Sequence, residues 1–283
     1  MSWQLLIGLS VVLYSVNALL HRTIMKDQQS DAYAQALVFT GLGGVFFLAA
    51  LLIRGGLESP DSWNQLLLIV VAALLSAVGM VLVFEGFKSI GVSEHTILLA
   101  SAQLWLMLGA VVILNEELTI RKVIGAAAIL SGVLIAEWRK RAFVLNRGAV
   151  FVLLAAFSFA ASGTVSFLIV RSLDVLSYMF YGSVLVTSML AAFRPRAFRK
   201  LSFYFEPRRG LNIVTTSLND ALANIFGLTA YEVGRNALQI NPIGATQTLL
   251  TVLLAIVILK ERDRITQKIL GGVAGVIGTI LLL

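Results

Sequence analysis

Residues 83–132 read VFEGFKSIGVSEHTILLASAQLWLMLGAVVILNEELTIRKVIGAAAILSG, and residues 229–278 read TAYEVGRNALQINPIGATQTLLTVLLAIVILKERDRITQKILGGVAGVIG. The second stretch repeats the first. Glu85 falls on Glu232, and the VVIL-Asn-Glu around Glu116 falls on the IVIL-Lys-Glu around Glu261. Gly125 and Gly132 fall on Gly271 and Gly278 at the same seven-residue spacing, with offsets of 145–147 residues throughout. A period that long is a duplication, since solenoid units run only about 20–50 residues. It divides the chain into 1–141 and 142–283, and the two halves start in step near Trp3 and Gly148.

Composition says what is duplicated. The chain is 58% hydrophobic and 13% charged, against about 25% charged residues in soluble domains. The apolar runs are continuous rather than alternating, which predicts membrane helices and not barrel strands. Ten spans are expected, near 3–20, 32–53, 66–84, 96–114, 120–136, 148–170, 176–193, 211–231, 244–259 and 265–283. Met1-Ser2-Trp3-Gln4 carries no basic region and no cleavage site follows, so the first span reads as retained rather than as a signal peptide.

Each half holds five spans, an odd number, so the second half enters the bilayer inverted relative to the first. The fold class is therefore all-α integral membrane, ten transmembrane helices as two inverted five-helix repeats around a central cavity. Inverted repeats with a midplane site are the architecture of secondary transporters.

The net charge of +7 excludes little, because the basic residues sit in short loops and read as topology signals rather than as a nucleic-acid surface. Of the 22 Lys and Arg, 17 lie in the loops after the odd-numbered spans and 5 in the others. The positive-inside rule then places both termini outside the cytoplasm. Residues 194–209, RPRAFRKLSFYFEPRR, mix aromatic and basic side chains and predict an interfacial segment at an anionic membrane surface. No cysteine is present, so disulfides and Cys-based metal sites are excluded. No His/Asp/Glu set has metal-ligand spacing, His21 and His95 stand alone, and no P-loop, dinucleotide motif or catalytic triad appears. No cofactor, metal or enzymatic activity is expected.

The segments ILNEELTIRKVIGAAAILSGVLI at 113–135 and VILKERDRITQKILGGVAGVIGTILL at 257–282 resemble the EamA-type ten-helix carriers of the drug/metabolite transporter superfamily. Both run from an apolar helix through an acidic residue and a short polar loop to Ile-Gly or Leu-Gly opening a small-residue helix. The resemblance covers the whole chain in span count and period. It implies two inverted bundles around a central cavity in the cell (inner) membrane. It also implies export or exchange of small metabolites such as amino acids, nucleotide-sugars, sugar phosphates or drugs. Bacterial members carry basic residues at cytoplasmic termini, whereas these termini carry none, so resemblance and charge count point opposite ways on orientation. The aromatic-x-x-Asn pattern of the first span stands as Tyr14-Ser15-Val16-Asn17, and its counterpart is Phe159-Ala160-Ala161-Ser162.

Of the 15 acidic residues, only Asp220 is deep in a span, ten residues into 211–231 and roughly 15 Å from either end at 1.5 Å per residue. A carboxylate there costs at least a few kcal/mol and is rarely kept without a role. Thr216, Asp220 and Asn224 share one helical face with Ser217 and Gly227, and Asn219 adjoins them. Such a face binds a substrate amine, or a proton or cation that drives transport; the plainer alternative is an interhelical hydrogen bond. Gln103 in span four matches Thr248, beside Gln247, across the repeat, as cavity walls or as polar glue between helices. Asn17, Tyr14 and Ser162 are further wall candidates.

Glu85 and Glu232 read as helix-end acids that contact a gate or simply meet solvent. Glu116 and Glu261 are expected to cap the next helix. Tyr178 and Tyr181 read as interfacial anchors, and Ala127/Ser131, Ala128/Gly132, Gly271/Gly275 and Ala156/Ala160 as small-xxx-small packing faces.

The expected function is a secondary transporter of a small polar metabolite such as an amino acid, by alternating access, with the bilayer, a coupling proton and a second copy of the chain as partners. A drug or cation efflux carrier and a flippase for a lipid-linked sugar are the alternatives. A phosphate-bearing substrate would call for Lys or Arg deep in a span, and none lies there.

Overall fold

Long apolar runs give the helices their length, and polar caps set their ends. The computed structural model describes residues 1–25, 31–87, 90, 98–137, 146–258 and 265–283. The first half contributes α1 (Trp3–Met25), α2 (Ala32–Arg54), α3 (Trp63–Phe87), α4 (Ala102–Val112) and α5 (Ile120–Glu137). The second contributes α6 (Arg147–Ile169), α7 (Val175–Phe193), α8 (Pro207–Gly234), α9 (Ala237–Ile258) and α10 (Ile265–Leu282), with a 3-10 helix at Pro195–Phe205. Among the described residues, Tyr33–Arg54, Trp63–Val83, Arg147–Ile169, Val175–Phe193 and Ile265–Leu282 are long and apolar enough to cross a membrane. Large apolar side chains such as Ile53 at 89% and Ile120 at 79% exposure face outward, as lipid contact requires.

Asp31 caps α2 by accepting the N–H groups of Tyr33 (3.0 Å) and Ala34 (3.1 Å). Asn146 caps α6 through the Ala149 N–H, and Asp174 caps α7 through the Ser177 N–H, each at 2.9 Å. Gly55 ends α2 at φ +97°, a left-handed turn that glycine adopts without steric cost. The sequence suggested that α9 starts near 244, but it starts at Ala237 and carries Pro242 within it. Proline there forfeits one ladder bond near the helix start, where several N–H groups already lack helical partners.

Helix pairing follows the duplication. Helix α5 packs chiefly on α10, α2 on α7, α3 on α6 and α1 on α8. The first two pairs join repeat equivalents, while the last two exchange with one another under the repeat. A Cβ on Gly125 would meet Gly278 O at 3.1 Å, and one on Gly132 would meet Gly271 O at 2.5 Å. These contacts run in opposite directions along the two helices, so α5 and α10 are antiparallel. Each glycine faces the repeat partner of the other. Between α2 and α7 the Thr187 hydroxyl donates to the Thr40 hydroxyl at 2.9 Å across 147 residues of sequence, the repeat offset itself. The small-residue reading needs one correction. Ala127 and Ser131 point outward, and the packed face of α5 is Gly125, Ile129 and Gly132.

Glu116 also departs from expectation. Its carboxylate accepts the N–H groups of Ala237 (2.7 Å) and Leu238 (2.9 Å), so it caps α9 in the other half rather than the next helix, α5. An anion suits the N–H groups at a helix start. Glu116→Ala is expected to lower stability by about 1–2 kcal/mol, read as an earlier thermal transition of purified protein, whereas Glu117→Ala leaves it unchanged. Glu261, the repeat partner, and His95 lie outside the described residues, as does the side chain of His21.

Candidate functional site

Asp220 is the fourteenth of 28 residues in α8, opposite α1. Asn17 of α1, 3% exposed, donates from Nδ2 to Asp220 Oδ1 at 3.2 Å, and Asn224 donates from Nδ2 to Oδ2 at 2.9 Å. Both carboxylate oxygens therefore hold an amide donor, one from each half of the chain. Around this group the helices are clamped by side chain to backbone bonds, Ser10 Oγ donating to Ala223 O at 2.8 Å and Asn219 Nδ2 to Leu13 O at 2.6 Å. Gly227 takes Ser10 against its bare Cα, where a Cβ would sit 3.1 Å from Oγ.

The other sequence candidates divide. Thr216 shares the Asp220 face by periodicity but is fully buried, and its hydroxyl bonds Asn212 O of its own helix at 2.6 Å. Gln247 meets α1 through its backbone, its carbonyl accepting from Ser15 Oγ at 3.0 Å. Helix α4 does pack on α9, which brings the elements of Gln103 and Thr248 together. Gln103 Oε1 is buried with no hydrogen-bond partner among the described residues, and neither side chain is bonded to the Asp220 group. In the second half, Ser162 repeats the position of Asn17 and bonds Ser76 Oγ and Ala72 O, both at 2.8 Å. The same seam is thus polar in both halves and acidic in one. Tyr178 is no interfacial anchor. It is 5% exposed and its hydroxyl pairs with Ser166.

Sequence reading missed the two ends of the α2–α7 pair. These antiparallel helices each begin after a capping aspartate and end at an arginine. At one end Arg54 bonds Asp174 directly, the Asp174 N–H donates to Glu58 Oε2 at 3.2 Å, and the Glu58 N–H donates to Ser177 Oγ at 3.0 Å. Gln65 Nε2 adds a bond to Ser172 Oγ at 3.1 Å, and Arg171 reaches Leu114 O at 3.3 Å and Tyr231 OH at 3.0 Å. Burial alone would push the Asp174 carboxyl up, but the Arg54 guanidinium and the Ser177 N–H and hydroxyl outweigh it and hold the group below the usual carboxylate range.

At the other end α2 and α7 are joined by the Tyr33 hydroxyl, which donates to Leu190 O at 3.2 Å. Lys200 Nζ takes Asp31 at 2.7 Å, while the Arg194 guanidinium lies 5.4 Å over the Tyr33 ring. Beside it a cavity of about 380 Å³ opens between α2, α3 and α7, with both Arg194 and Glu85 in its wall. Nearby, the 3-10 helix is pinned by buried Tyr204, whose hydroxyl donates to Asp31 O at 2.8 Å, and Phe205 is 72% exposed.

Two halves of one helical design, apolar over long spans and polar at their seam, define a multi-pass membrane carrier. The profile of the EamA-like transporter family matches residues 1–138 and again 146–283, so the chain belongs to that family. It is a membrane transporter of the drug/metabolite type, and the members of its family are transporters rather than enzymes. A solved structure described as "Crystal structure of protein" shares the fold with TM-score 0.77 over 99% of this chain and 95% of its own, at 17% identity. No curated protein matches the sequence.

Proposed function

We propose that the chain is a secondary transporter in the cell (inner) membrane. It exports or exchanges a small metabolite bearing an amine, typically an amino acid, by alternating access between inverted five-helix repeats spanning 1–141 and 142–283. The observation that carries this reading is Asp220, a mid-helix carboxylate held by amides from both halves at their seam. A fixed anion of this kind binds an ammonium, or gives it up for a proton, and so couples the two flows. Asn17 and Asn224 hold and orient it, Asn219 clamps α8 to α1 beside it, and Gln103, Thr248 and Gln247 complete the polar wall. Transport of labelled amino acids into proteoliposomes, with and without a pH gradient, tests the reading. Uptake that follows the gradient supports it, and carriage of phosphate-bearing solutes alone overturns it.

Alternating access is supported by the antiparallel pairing of repeat equivalents and by the unequal ends of α2 and α7. The Arg54–Asp174 end is joined by an ion pair, and the other end by the Tyr33–Leu190 hydrogen bond beside a cavity. The end with the cavity carries the more basic loops and so faces the cytoplasm, with both termini on the far side. Reporter fusions at the termini check this, and two cytoplasmic signals would contradict it.

Asp174→Asn is expected to loosen the Arg54–Asp174 end. A cysteine at Ser177, buried in the parent, then reacts with an impermeant thiol reagent several-fold faster. Because the folded Asp174 group sits below its unfolded value near pH 3.9, its stabilisation is complete above about pH 4 and is lost as pH falls through the lower folded value. Parent and Asp174→Asn are therefore expected to differ in thermal stability at neutral pH and to converge in acid below about pH 4.

A further inference from the structure

The 3-10 helix at Pro195–Phe205 does more than join α7 to α8. With about 3 residues per turn, its side chains fall into three rows. One row is turned to the protein: Ala197 is buried, Lys200 holds Asp31, and the Phe203 ring packs 4.9 Å from that of Tyr204. Tyr204 locks the segment down, its hydroxyl donating to Asp31 O and accepting the Asp31 N–H at 3.2 Å. A second row, Arg196, Arg199, Ser202 and Phe205, is exposed throughout.

Arg196 and Arg199 make no ion pair or hydrogen bond among the described residues, and the acids beside them are occupied, Asp31 by Lys200 and Glu206 by Arg209. The two guanidiniums are one turn apart, about 6 Å along the axis. Phe198 and Phe205 flank them at 52% and 72% exposure. Helix α7 is long and apolar enough to cross a membrane and ends at Phe193, so the segment that follows lies at headgroup level. Uncompensated cations beside uncovered rings match an anionic lipid surface, where guanidiniums take phosphate oxygens and rings enter the acyl boundary. A soluble polyanion would meet the charge but leave both rings in water.

We propose that this face binds anionic phospholipid headgroups, with Arg196 and Arg199 on the phosphates, and that bound lipid steadies the start of α2. The coupling runs through Lys200 and Tyr204 to Asp31, the residue that caps α2. It is independent of which solute the chain carries.

The chain has no cysteine, so Ser202→Cys takes a single fluorophore in the exposed row. In phosphatidylcholine nanodiscs, quenching by trace nitroxide-labelled phosphatidylglycerol is compared with quenching by nitroxide-labelled phosphatidylcholine. The anionic lipid is expected to quench about fivefold or more effectively, and about 1 M salt to shrink that ratio. Arg196→Gln combined with Arg199→Gln should bring the ratio close to one, while Arg235→Gln, at the far end of α8, leaves it unchanged. Equal quenching by the two lipids in the parent overturns the lipid site, as does an unchanged ratio in the double variant. A ratio abolished by inorganic phosphate at constant ionic strength overturns it in favour of a free anion. Hydrogen exchange over residues 32–37 of the unlabelled protein reads the coupling. Phosphatidylglycerol should slow it several-fold in the parent and not in the double variant. No slowing in the parent, or equal slowing in both proteins, overturns the coupling.

Discussion

Asp220→Asn is expected to fold and to lose most of its transport. The substitution keeps the shape of the side chain, and the fold has a way to absorb it. Asn17 Oδ1 is buried with no hydrogen-bond partner among the described residues. Turning the Asn17 amide would let that oxygen accept from the new amide at 220. The clamps Ser10–Ala223 and Asn219–Leu13 do not involve the carboxylate and remain. What disappears is the fixed anion. A hydrogen bond to a charged group contributes about 1.5–3 kcal/mol, so uptake of an amine-bearing solute should fall about 10–100-fold. The remaining rate should no longer follow a pH gradient. Size-exclusion profiles and thermal transitions near those of the parent, beside that loss, are the expected pair of results. A parental rate with parental pH dependence would reduce Asp220 to an interhelical bond.

The second large effect is structural. At Gly132 a Cβ would stand 2.5 Å from Gly271 O and 2.9 Å from Gly275 N, both backbone atoms of the facing helix. No rotamer change relieves such a contact, so α5 and α10 would have to part. Overpacking of this kind costs about 1–3 kcal/mol and sometimes more, and in lipid no hydrophobic drive between helices compensates. Gly132→Ala is therefore expected to lower the thermal transition clearly, and Gly278→Ala, against Gly125 O at 2.6 Å, to do the same. Gly272 is the control on the same helix, because a Cβ there meets nothing within 4 Å. Gly272→Ala should be neutral, or stabilising by up to about 1 kcal/mol through helix propensity.

The contrast among these positions shows where sequence reading succeeds. The seven-residue spacing of Gly125/Gly132 and Gly271/Gly278 was visible in the duplication, and those residues form the α5–α10 contact. Ala127/Ser131 has the same local pattern yet points outward, because small size does not say which face of a helix is covered. Asp220 was legible because a charge among apolar residues is expensive wherever the chain goes. Its partner in α1 is 203 residues away, and only the aromatic-x-x-Asn pattern hinted at it. Thr216 shares the face by periodicity, but its hydroxyl satisfies itself on its own helix, a local bond that periodicity cannot register. Tyr178 was misjudged because position near a helix start suggested an interface, whereas Ser166 gave its hydroxyl a buried partner. The Glu116 cap on α9 and the Arg54–Asp174 and Arg194–Asp31 ends join residues that only the packed halves bring together. The repeat marked Glu85 without indicating that Arg194 shares its cavity.

The chain contains no cysteine, which makes the central claim, that the ends of α2 and α7 open in alternation, directly measurable. Paired cysteines at Arg54 and Asp174 report one end, and paired cysteines at Asp31 and Arg194 report the other. With a short bifunctional reagent, the cross-linking rate of each pair is followed with and without solute. Addition of a transported amino acid should slow the first and speed the second. If both pairs respond together, or neither responds to a solute that the protein carries, the two ends do not alternate and the account is wrong.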